Sequence, residues 1–490
     1  MTAASISKTN AKSLGSLGLS SDFVQVMEEL GFSAPTPIQS MAVPVLLAGG
    51  DVIGQAKTGS GKTAAFSLPI LQKIALDKED IQAVILCPTR ELCAQVAREV
   101  RRLGRKLPGL HVLVLAGGQP VRTQMASYEQ GAHIVVGTPG RVLDLLGREK
   151  ISFKEIKTLV LDEADRMLDM GFQEQMEEIF RHTPKSRQTC FFSATFPATI
   201  EQLSRVYQKN PARIELERTE DALPAIQEFA AESGIDVSQK TKALLAFLEF
   251  HKPESGIVFC NLKATVAELA ASLRKCGISA DGLHGDLEQR DRDRVMAKFR
   301  NHSVSILVAT DVAARGIDVP DVDLVFNFDF VVKPEVYVHR IGRTARAGKK
   351  GLAISLISPR EKLKLQNLEE FLGRTLPKKN IPPRQRAVGA EASREGAPKA
   401  AEASSSFAQS AAVMQTLYVS GGRKAKLRPG DILGALTGEA GGLQGSDIGK
   451  IEIHDNFSYV AVARTVAGLA VQRLQAGKIK GRKFAVDLVR

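Results

Sequence analysis

The sequence predicts two α/β domains, each with a parallel sheet, followed by a small α+β domain. Short apolar runs typical of strands alternate with longer helical patterns between residues 12 and 210, and the scheme repeats over residues 218–375. Pro, Ala, Ser, Glu, Lys and Arg dominate residues 376–412, which predicts a flexible linker. Residues 413–490 then follow the order strand, helix, strand, strand, helix, strand.

The individual elements follow from these runs. Predicted strands of the first domain are Ala83–Cys87, His111–Ala116, Ile134–Gly137, Thr158–Leu161 and Thr189–Phe192. Those of the second are Gly256–Cys260, Ser305–Ala309, Leu324–Phe328 and Leu352–Ile357, with the connection between domains near residues 210–223. The last domain is predicted to have strands at Thr416–Ser420, Ile448–Ile453, Phe457–Ala463 and Lys483–Val489, and helices at Pro429–Thr437 and Arg464–Gln475.

The tract AKTGSGKT at residues 56–63 lies between an apolar run and a helical pattern and predicts a phosphate-binding loop. Gly59 and Gly61 let backbone N–H groups turn toward phosphates, and we expect Thr58 to belong to the same nucleotide-binding set. Lys62 supplies a cation for the β- and γ-phosphates, and the Thr63 hydroxyl is a candidate Mg²⁺ ligand. The alternative is an ordinary glycine-rich turn between a strand and a helix.

A cluster of acids ends the apolar run TLVLDEAD at residues 158–165. Open α/β sheets bind ligands at the carboxyl ends of their strands, so this cluster is placed for chemistry. Asp162 is the candidate for holding Mg²⁺, and Glu163 for orienting or deprotonating an attacking water. The alternative is a solvated acidic helix start, which is weakened by the phosphate loop about a hundred residues earlier.

Over residues 14–372 the ordered motifs resemble those of the DEAD-box family of RNA-dependent ATPases. The motifs are PTREL at 88–92, Gly117-Gly118, TPGR at 138–141, SAT at 193–195, IVFCN at 257–261, residues 289–292, ATDVAARGID at 309–318 and HRIGRTARAG at 339–348. The resemblance implies two RecA-like domains that bind ATP and RNA. It implies RNA contacts at Thr89, Arg90, Gly118, Thr138, Arg141, Gln289, Arg292 and Thr310. It also implies a ribose contact at Asp318 and coupling by Ser193, Thr195, Asp165 and His339.

Two arginines of the last motif, Arg343 and Arg346, are three residues apart, which on a helix places them on one face. Guanidinium groups bind phosphoryl oxygens in a bidentate way, and these two resemble arginine fingers. The alternative is a pair of basic residues on a solvated helix face.

Adenine selection is predicted for Gln39 in GFSAPTPIQ, residues 31–39, because a carboxamide offers both a donor and an acceptor to N6 and N7. The segment resembles the family's Q motif. The family usually has an aromatic residue about seventeen positions upstream, where this chain has Leu14. In this chain, the candidate substitutes for that aromatic residue are apolar packing of Leu14 on the base and stacking by Phe32. The alternative for Gln39 is a polar residue at a helix start after Pro37.

The distribution of charge along the chain and the spacing of the cysteines indicate the kind of binding partner and the cellular compartment. Nineteen Lys and Arg against nine Asp and Glu in residues 373–490 carry +10 of the net +12, which favours a polyanion such as RNA as the partner of the tail. No apolar stretch reaches the roughly 18 residues of a membrane span, and the N-terminus lacks a secretory pattern. The five cysteines show no C-x-x-C spacing, so we expect reduced core residues in a cytoplasmic protein.

The last domain is similar to an RRM, with LYVSGG at residues 417–422 in the RNP2 place and DNFSYVAV at 455–462 in the RNP1 place. Two RNA-binding surfaces stay open. One is the sheet face with Tyr418, Phe457 and Tyr459; Asp455, Asn456 and Val462 depart from the RNP1 pattern. The other is a pair of basic loops that contain Arg423, Lys424, Lys426 and Arg428, and Lys478, Lys480, Arg482 and Lys483.

The whole arrangement resembles the bacterial DbpA-like helicases, whose C-terminal domain binds a hairpin of 23S rRNA in the peptidyl-transferase region. The resemblance implies a helicase that opens short RNA duplexes during assembly of the large ribosomal subunit, with its precursor as partner. An ATP-gated RNA clamp that does not unwind is the alternative, and the DEAD motif and the tail disfavour a DNA translocase. A coil-like linker of about 37 residues would leave the tail without one fixed geometry relative to the motor domains.

Overall fold

The computed structural model describes residues 13–56, 59–118, 120–215, 226–314, 322–345, 350–383, 412–438, 442–454 and 456–489. These residues fall into two compact units that divide between 222 and 223. None of the helices within the described ranges is long and apolar enough to cross a membrane. Four of the five cysteines are buried and Cys276 is half-buried, all as free thiols.

The first unit contains a seven-stranded parallel sheet in the order β3-β4-β2-β5-β6-β1-β7. Its strands are β1 Val52–Gln55, β2 Ala83–Leu86, β3 Val112–Leu115, β4 Ile134–Gly137, β5 Thr158–Asp162, β6 Gln188–Ser193 and β7 Ala212–Glu215. Its helices are α1 Ser21–Glu29, α2 Pro37–Leu47, α3 Lys62–Lys73, α4 Arg90–Leu103, α5 Val121–Tyr128, α6 Pro139–Gly147, α7 Ala164–Asp169, α8 Gln173–Arg181 and α9 Ala198–Tyr207.

Helices cover both faces of this sheet, which is why its strands are continuous apolar runs rather than alternating ones. The five predicted strands are confirmed within a residue or two at each end. The edge strand β7 pairs in parallel with β1, so the predicted end of the first domain at residue 210 is wrong. The short run of β7 has only one buried residue, Ile214, and gave too weak a periodic signal.

The second unit begins with a six-stranded parallel sheet in the order β10-β11-β9-β12-β13-β8. Its strands are β8 Ile226–Glu232, β9 Gly256–Cys260, β10 Ala280–Leu283, β11 Ile306–Thr310, β12 Leu324–Asn327 and β13 Gly351–Ile357. Its helices are α10 Val237–His251, α11 Lys263–Lys275, α12 Gln289–Arg300, α13 Asp311–Ala314, α14 Pro334–Ile341 and α15 Lys362–Leu372.

The predicted linker start at residue 376 is wrong. Ala230 of β8 donates its N–H to the Pro377 carbonyl at 2.9 Å, and Lys379 donates its N–H to the Ala230 carbonyl at 2.9 Å. Leu376 is 3% exposed in the core beneath this edge. The chain therefore continues along the sheet for several residues before the segment 384–411, which lies outside the described residues.

The last domain belongs to the second unit and has the RRM-like order predicted from the sequence. Its antiparallel sheet has the order β15-β16-β14-β17, with β14 Met414–Val419, β15 Ile448–Ile453, β16 Ser458–Ala463 and β17 Val486–Leu488. Helices α16 Pro429–Thr437 and α17 Ala467–Ala476 cover one sheet face. Side chains alternate along a strand, so Leu417 and Val419 face these helices while Thr416 and Tyr418 face the other way.

Candidate nucleotide and RNA sites

Strand order divides the carboxyl edge of the first sheet into two halves. The glycine-rich loop follows β1, the acidic cluster ends β5, and the SAT motif ends β6; these three strands are neighbours. The other half, β3-β4-β2, is followed by the Gly117-Gly118, TPGR and PTREL motifs. One edge thus carries both predicted sites of the first unit, side by side, because parallel strands end at the same edge.

The described residues of the glycine-rich loop contact one another and Gln39. Gly59 and Gly61 have φ of +85° and +92°, which L side chains rarely adopt, and a Cβ on Gly61 would lie 2.5 Å from Nε2 of Gln39. The Lys62 ammonium is buried and donates to the Ala56 carbonyl at 2.7 Å. Thr63 is half-buried at the start of α3, and Thr58 lies outside the described residues. The cation therefore sits within the loop where phosphates are expected.

Gln39 connects this loop to the start of α2. Its Oε1 accepts a hydrogen bond from the Thr36 N–H at 3.0 Å, and its Nε2 donates to the Gly61 carbonyl at 3.2 Å. Leu14 is 4% exposed within the core of the first unit, so little of its side chain is available to pack on a base. Phe32 is half-buried against the same core. The structure thus places Gln39 at the phosphate loop, and its contact with adenine stays a prediction.

The acids at the end of β5 occupy different environments. Asp162 is 3% exposed, and its Oδ1 has no hydrogen-bond partner. Burial, opposed by Lys62 and reinforced by the Glu163 charge, raises the pKa of Asp162 to about 6. Glu163 has a left-handed backbone, with φ of 55°, and accepts a hydrogen bond from Arg166 Nη1 at 2.8 Å. Arg166 was not among the predicted residues, although its i,i+3 spacing from Glu163 favours such a pair.

The SAT motif is bonded directly to the third acid. Asp165 Oδ2 accepts hydrogen bonds from the Thr195 N–H at 3.0 Å and the Thr195 hydroxyl at 2.8 Å. The Asp165 N–H donates to the Ser193 hydroxyl at 3.2 Å, and the Ser193 carbonyl accepts from the Ala56 N–H at 3.0 Å. Within the first unit, the predicted coupling residues therefore link the acidic cluster to the first residue of the phosphate loop.

The other half of the edge presents helix starts and one close backbone approach. Thr89 and Thr138 are the N-cap residues of α4 and α6, and Thr89 Oγ1 accepts the Leu92 N–H at 3.3 Å. Gly118 has φ of +76°, and a Cβ there would collide with the Arg90 guanidinium. Helix starts offer backbone N–H groups to anions. Arg141 is half-buried in the first turn of α6, so the five predicted RNA residues of this unit share one edge.

In the second unit, the predicted RNA residues surround the ends of β10 and β11. Gln289 begins α12 and donates from Nε2 to Asp293 Oδ1 at 2.7 Å. Arg292, one turn on, donates to the Ala313 carbonyl at 3.3 Å. Thr310 ends β11 and accepts the Ala313 N–H on its hydroxyl at 3.3 Å. Arg292 and Thr310 therefore meet at Ala313, and Gln289 lies one turn before Arg292 on α12.

Arg340, which lies between His339 and Arg343, was not predicted as a functional residue and is 1% exposed. It bonds to Asp311 Oδ1 and Oδ2 at 2.7 Å each, Asn327 Oδ1 at 3.1 Å, Asn261 Oδ1 at 3.0 Å and the Asp329 carbonyl at 2.8 Å. All five guanidinium N–H groups have a partner, so this side chain fixes α14 to the ends of β9, β11 and β12. No sequence pattern separates it from its neighbours; only burial does.

The structure describes four further residues of the predicted nucleotide and coupling sets less fully than the others. Arg343 follows α14 and is 6% exposed, and His339 lies on α14 itself. Arg346 and Asp318 lie outside the described residues. The arginine-finger and ribose assignments therefore stay predictions.

The two basic loops of the last domain meet. Lys480 Nζ donates to the Lys426 carbonyl at 3.0 Å, and Ile479 and Leu427 are buried in the same core. Exposed members of these loops are Arg423, Lys424, Lys426, Arg428, Lys478, Lys480, Arg482 and Lys483, which we call the basic surface. Lys480 also lies 3.6 Å from Asp431. Two separate runs in the sequence thus form one positively charged surface.

Aromatic side chains cluster on the sheet face away from α16 and α17. The ring centroids of Tyr418 and Phe457 are 5.7 Å apart, and those of Phe457 and Tyr459 are 5.2 Å apart, so the predicted shared face is confirmed. Tyr459 is only 3% exposed and packs with Ala297 of α12. The prediction that Tyr459 stacks on RNA is incompatible with this burial. Tyr418 and Phe457 are half-buried.

The chain matches the DEAD/DEAH box helicase family over residues 36–203, the helicase conserved C-terminal domain over 239–348 and the DbpA RNA binding domain over 416–488. It is 48% identical over 464 residues to the ATP-dependent RNA helicase DbpA of Escherichia coli (strain K12), which covers 95% of this chain and 96% of that protein. The chain belongs to the DEAD-box RNA helicase family.

Other relatives match about three quarters of the chain. The DEAD-box ATP-dependent RNA helicase CshA of Bacillus anthracis is 44% identical over 366 residues, which covers 75% of this chain and 69% of that protein. The structure of S. cerevisiae Dbp5 bound to RNA and ADP BeF3 is 33% identical, covers 76% of this chain and 96% of that chain, and superposes with a TM-score of 0.69. The chain is an ATP-dependent RNA helicase with two RecA-like domains and a DbpA-type RNA-binding domain.

Proposed function

We propose that this DEAD-box helicase opens short duplexes in 23S rRNA during assembly of the large ribosomal subunit in the cytoplasm, with the subunit precursor as its partner. The observation that carries the proposal is the basic surface, which two distant loops form together at one end of the tail sheet. Clustered Lys and Arg bind phosphates strongly, and a folded hairpin presents phosphates on both strands. The family resemblance supplies the identity of the hairpin.

At the nucleotide site, Lys62 leaves the Ala56 carbonyl to bind the β- and γ-phosphates of ATP, since a charged phosphate is a stronger acceptor than a neutral carbonyl. Thr63 and Asp162 would hold Mg²⁺, and the buried Asp162 Oδ1 without a partner fits a cation. The ion supplies charge neutralisation at the phosphates. Glu163, oriented by Arg166, positions the attacking water.

Residues of the second unit complete this site in our proposal. Arg343 and Arg346 stabilise charge on the transferred phosphoryl group, and Asp318 binds the ribose. Gln39 contacts adenine and, through Gly61, connects base recognition to the loop. His339 couples to Asp165, which is already bonded to Thr195.

RNA contacts of the motor provide grip without sequence selection, because helix starts and arginines bind phosphates and 2′-OH groups. These contacts are Thr89, Arg90, Gly118, Thr138, Arg141, Gln289, Arg292 and Thr310. Selection belongs to the tail, with Arg423, Lys424 and Lys480 on phosphates and the half-buried Tyr418 and Phe457 beside them.

The test compares strand displacement on a short duplex next to the 23S rRNA hairpin with displacement of the same duplex next to an unrelated hairpin. Lys424→Gln with Arg482→Gln in the full chain should remove the preference for the ribosomal substrate and leave ATP hydrolysis on unrelated RNA unchanged. The matched control, Lys362→Gln with Lys364→Gln, removes two exposed lysines from α15 and should keep the preference.

Two results would contradict the proposal. Equal loss of preference in the control pair would mean that total charge, not the basic surface, selects the RNA. ATP hydrolysis without strand release by the unmodified chain would identify an ATP-gated clamp.

A further inference from the structure

The sheet face of the tail domain that α16 and α17 leave open lies on α12 of the second motor domain. Tyr459 and Val489 from the tail pack with Ala297 of α12, and Tyr418 and Phe457 surround them. Thr416 is fully buried, and its hydroxyl lies 2.6 Å from Ser303 Oγ and 3.4 Å from Asn301 Nδ2, just beyond α12. The face where an RRM stacks bases is therefore largely used by a protein contact.

The contacting side of α12 has helical spacing. Arg300 of α12 and the C-cap residue Asn301, which both contact the tail as Ala297 does, follow Ala297 by three and four residues and so lie toward one side of the helix. Ala297 is 0% exposed, and its small side chain lets Tyr459 approach closely. Burial, together with the nearby Asp293 charge, raises the pKa of Tyr459 to about 12. The small Ala297 therefore lies where the sheet face meets α12.

A bidentate ion pair closes the contact at the end of α12. Arg300 Nε and Nη2 donate to the two oxygens of Glu452 at 2.8 and 2.7 Å, with side chains 17% and 13% exposed. Burial opposes ionisation of Glu452, but the hydrogen bonds from Arg300 and Lys450 outweigh it and lower its pKa to about 2. Two planar groups paired in this way fix orientation as well as distance.

The opposite end of α12 carries two of the residues assigned to RNA binding, Gln289 and Arg292. The helix from Gln289 to Arg300 is about 17 Å long, at 1.5 Å per residue. One rigid element therefore holds the motor's RNA contacts at its start and the tail domain along its length and at its end. The expectation of a tail without fixed geometry is wrong for this structure.

We propose that α12 is a spacer: its docking on the tail sheet sets the distance between RNA held by the basic surface and RNA held by Gln289 and Arg292. The duplex that is opened then stands at a preferred number of nucleotides from the bound hairpin. This inference rests on the proposed function, because it needs the tail to bind the hairpin. A freely tethered tail would instead accept a broad range of spacings, since coil-like linkers vary in length.

Docking itself is tested by a disulfide in the full chain carrying Cys276→Ser. Ser303→Cys with Thr416→Cys replaces two hydroxyls 2.6 Å apart and should crosslink under mild oxidation. The control is Ser303→Cys with Thr437→Cys, because Thr437 lies on α16 over the other sheet face. We expect the first pair to crosslink on the order of tenfold faster or more, with or without RNA. Equal rates in the two pairs would overturn docking.

The spacer is tested by strand displacement on 23S rRNA hairpin substrates in which the duplex follows after increasing numbers of nucleotides. The unmodified chain should show one optimum. Arg300→Glu or Glu452→Arg should flatten it by like-charge repulsion, and the double exchange should restore it. An identical optimum in Glu452→Arg would overturn the spacer.

Failure of the proposed function gives a different pattern. If the unmodified chain does not prefer the ribosomal hairpin at any spacing, targeting by the tail is wrong and the spacer has no RNA to position. The crosslinking result still decides whether the sheet face docks on α12, because it requires no RNA.

Discussion

Replacing Asp162 with Asn should stabilise the protein at neutral pH while it abolishes ATP hydrolysis. Asp162 is buried, its Oδ1 has no partner, and burial raises its pKa from 3.8 to about 6. At about 1.36 kcal/mol for each tenfold change in proton affinity, ionising this group in the folded state costs about 3 kcal/mol at pH 7. Asn carries no charge and avoids this cost, but it cannot replace a carboxylate as a metal ligand.

The sign of the pH dependence follows from the direction of the pKa change. The folded protein holds the Asp162 proton more tightly than the unfolded chain, so between about pH 4 and pH 6 this group lowers the free energy of unfolding as pH rises. The gain in free energy of unfolding from Asp162→Asn should therefore be near zero below pH 4 and reach about 1–3 kcal/mol above pH 6. This range allows for the cost of burying the polar amide of Asn. Urea unfolding of the full chain in EDTA, followed by circular dichroism across this range, measures it.

Asp51→Asn is the matched control. Asp51 is also buried in the first unit, but its two carboxylate oxygens accept the N–H groups of Thr189 at 2.8 Å and Lys209 at 2.6 Å. An amide there places a donor against a donor and should destabilise the protein by about 1–3 kcal/mol at pH 7. Destabilisation by Asp162→Asn at pH 7 would contradict a large free-energy cost of burying the Asp162 charge.

Three further predictions concern the motor. Lys62→Ala should lose nearly all ATP hydrolysis measured by phosphate release, because Lys62 supplies the cation for the β- and γ-phosphates; wild-type turnover would disprove the loop assignment. Arg343→Ala should lower kcat by about 10³-fold and change nucleotide affinity, measured by titration with a fluorescent analogue, by no more than a few-fold. Weaker nucleotide affinity with unchanged kcat would instead identify Arg343 as a ligand of the ground state. Gly118→Ala should displace the Arg90 guanidinium and weaken RNA-stimulated hydrolysis, whereas Gly117→Ala, with open space around its Cβ, should not; equal effects would argue against a specific contact.

Local motifs made much of the motor predictable. The order of apolar runs predicted both parallel sheets, because strands buried on two faces are continuous apolar segments. Two elements at the sheet edges were missed because they have few buried apolar side chains. Strand β7 has one buried residue. The segment Leu376–Lys379 joins β8 through backbone hydrogen bonds, which no side-chain pattern reveals. Lys62 was identified because it follows the glycines of the phosphate loop, and Asp162 because it belongs to a cluster of acids at a strand end. Phosphate binding and metal binding restrict which side chains can occupy such positions.

The sequence by itself determined the chemistry available to this protein: a phosphate loop, an acidic strand end, a set of arginines and a basic tail, each encoded within a few consecutive residues. Tertiary structure alone decided which groups act together. The fold gives the Arg340 guanidinium five hydrogen bonds and leaves Asp162 Oδ1 without a hydrogen-bond partner. It joins two basic loops into one surface. It also turned the aromatic sheet face toward α12. Burial and contact depend on residues far apart in the chain, so no local pattern could specify them.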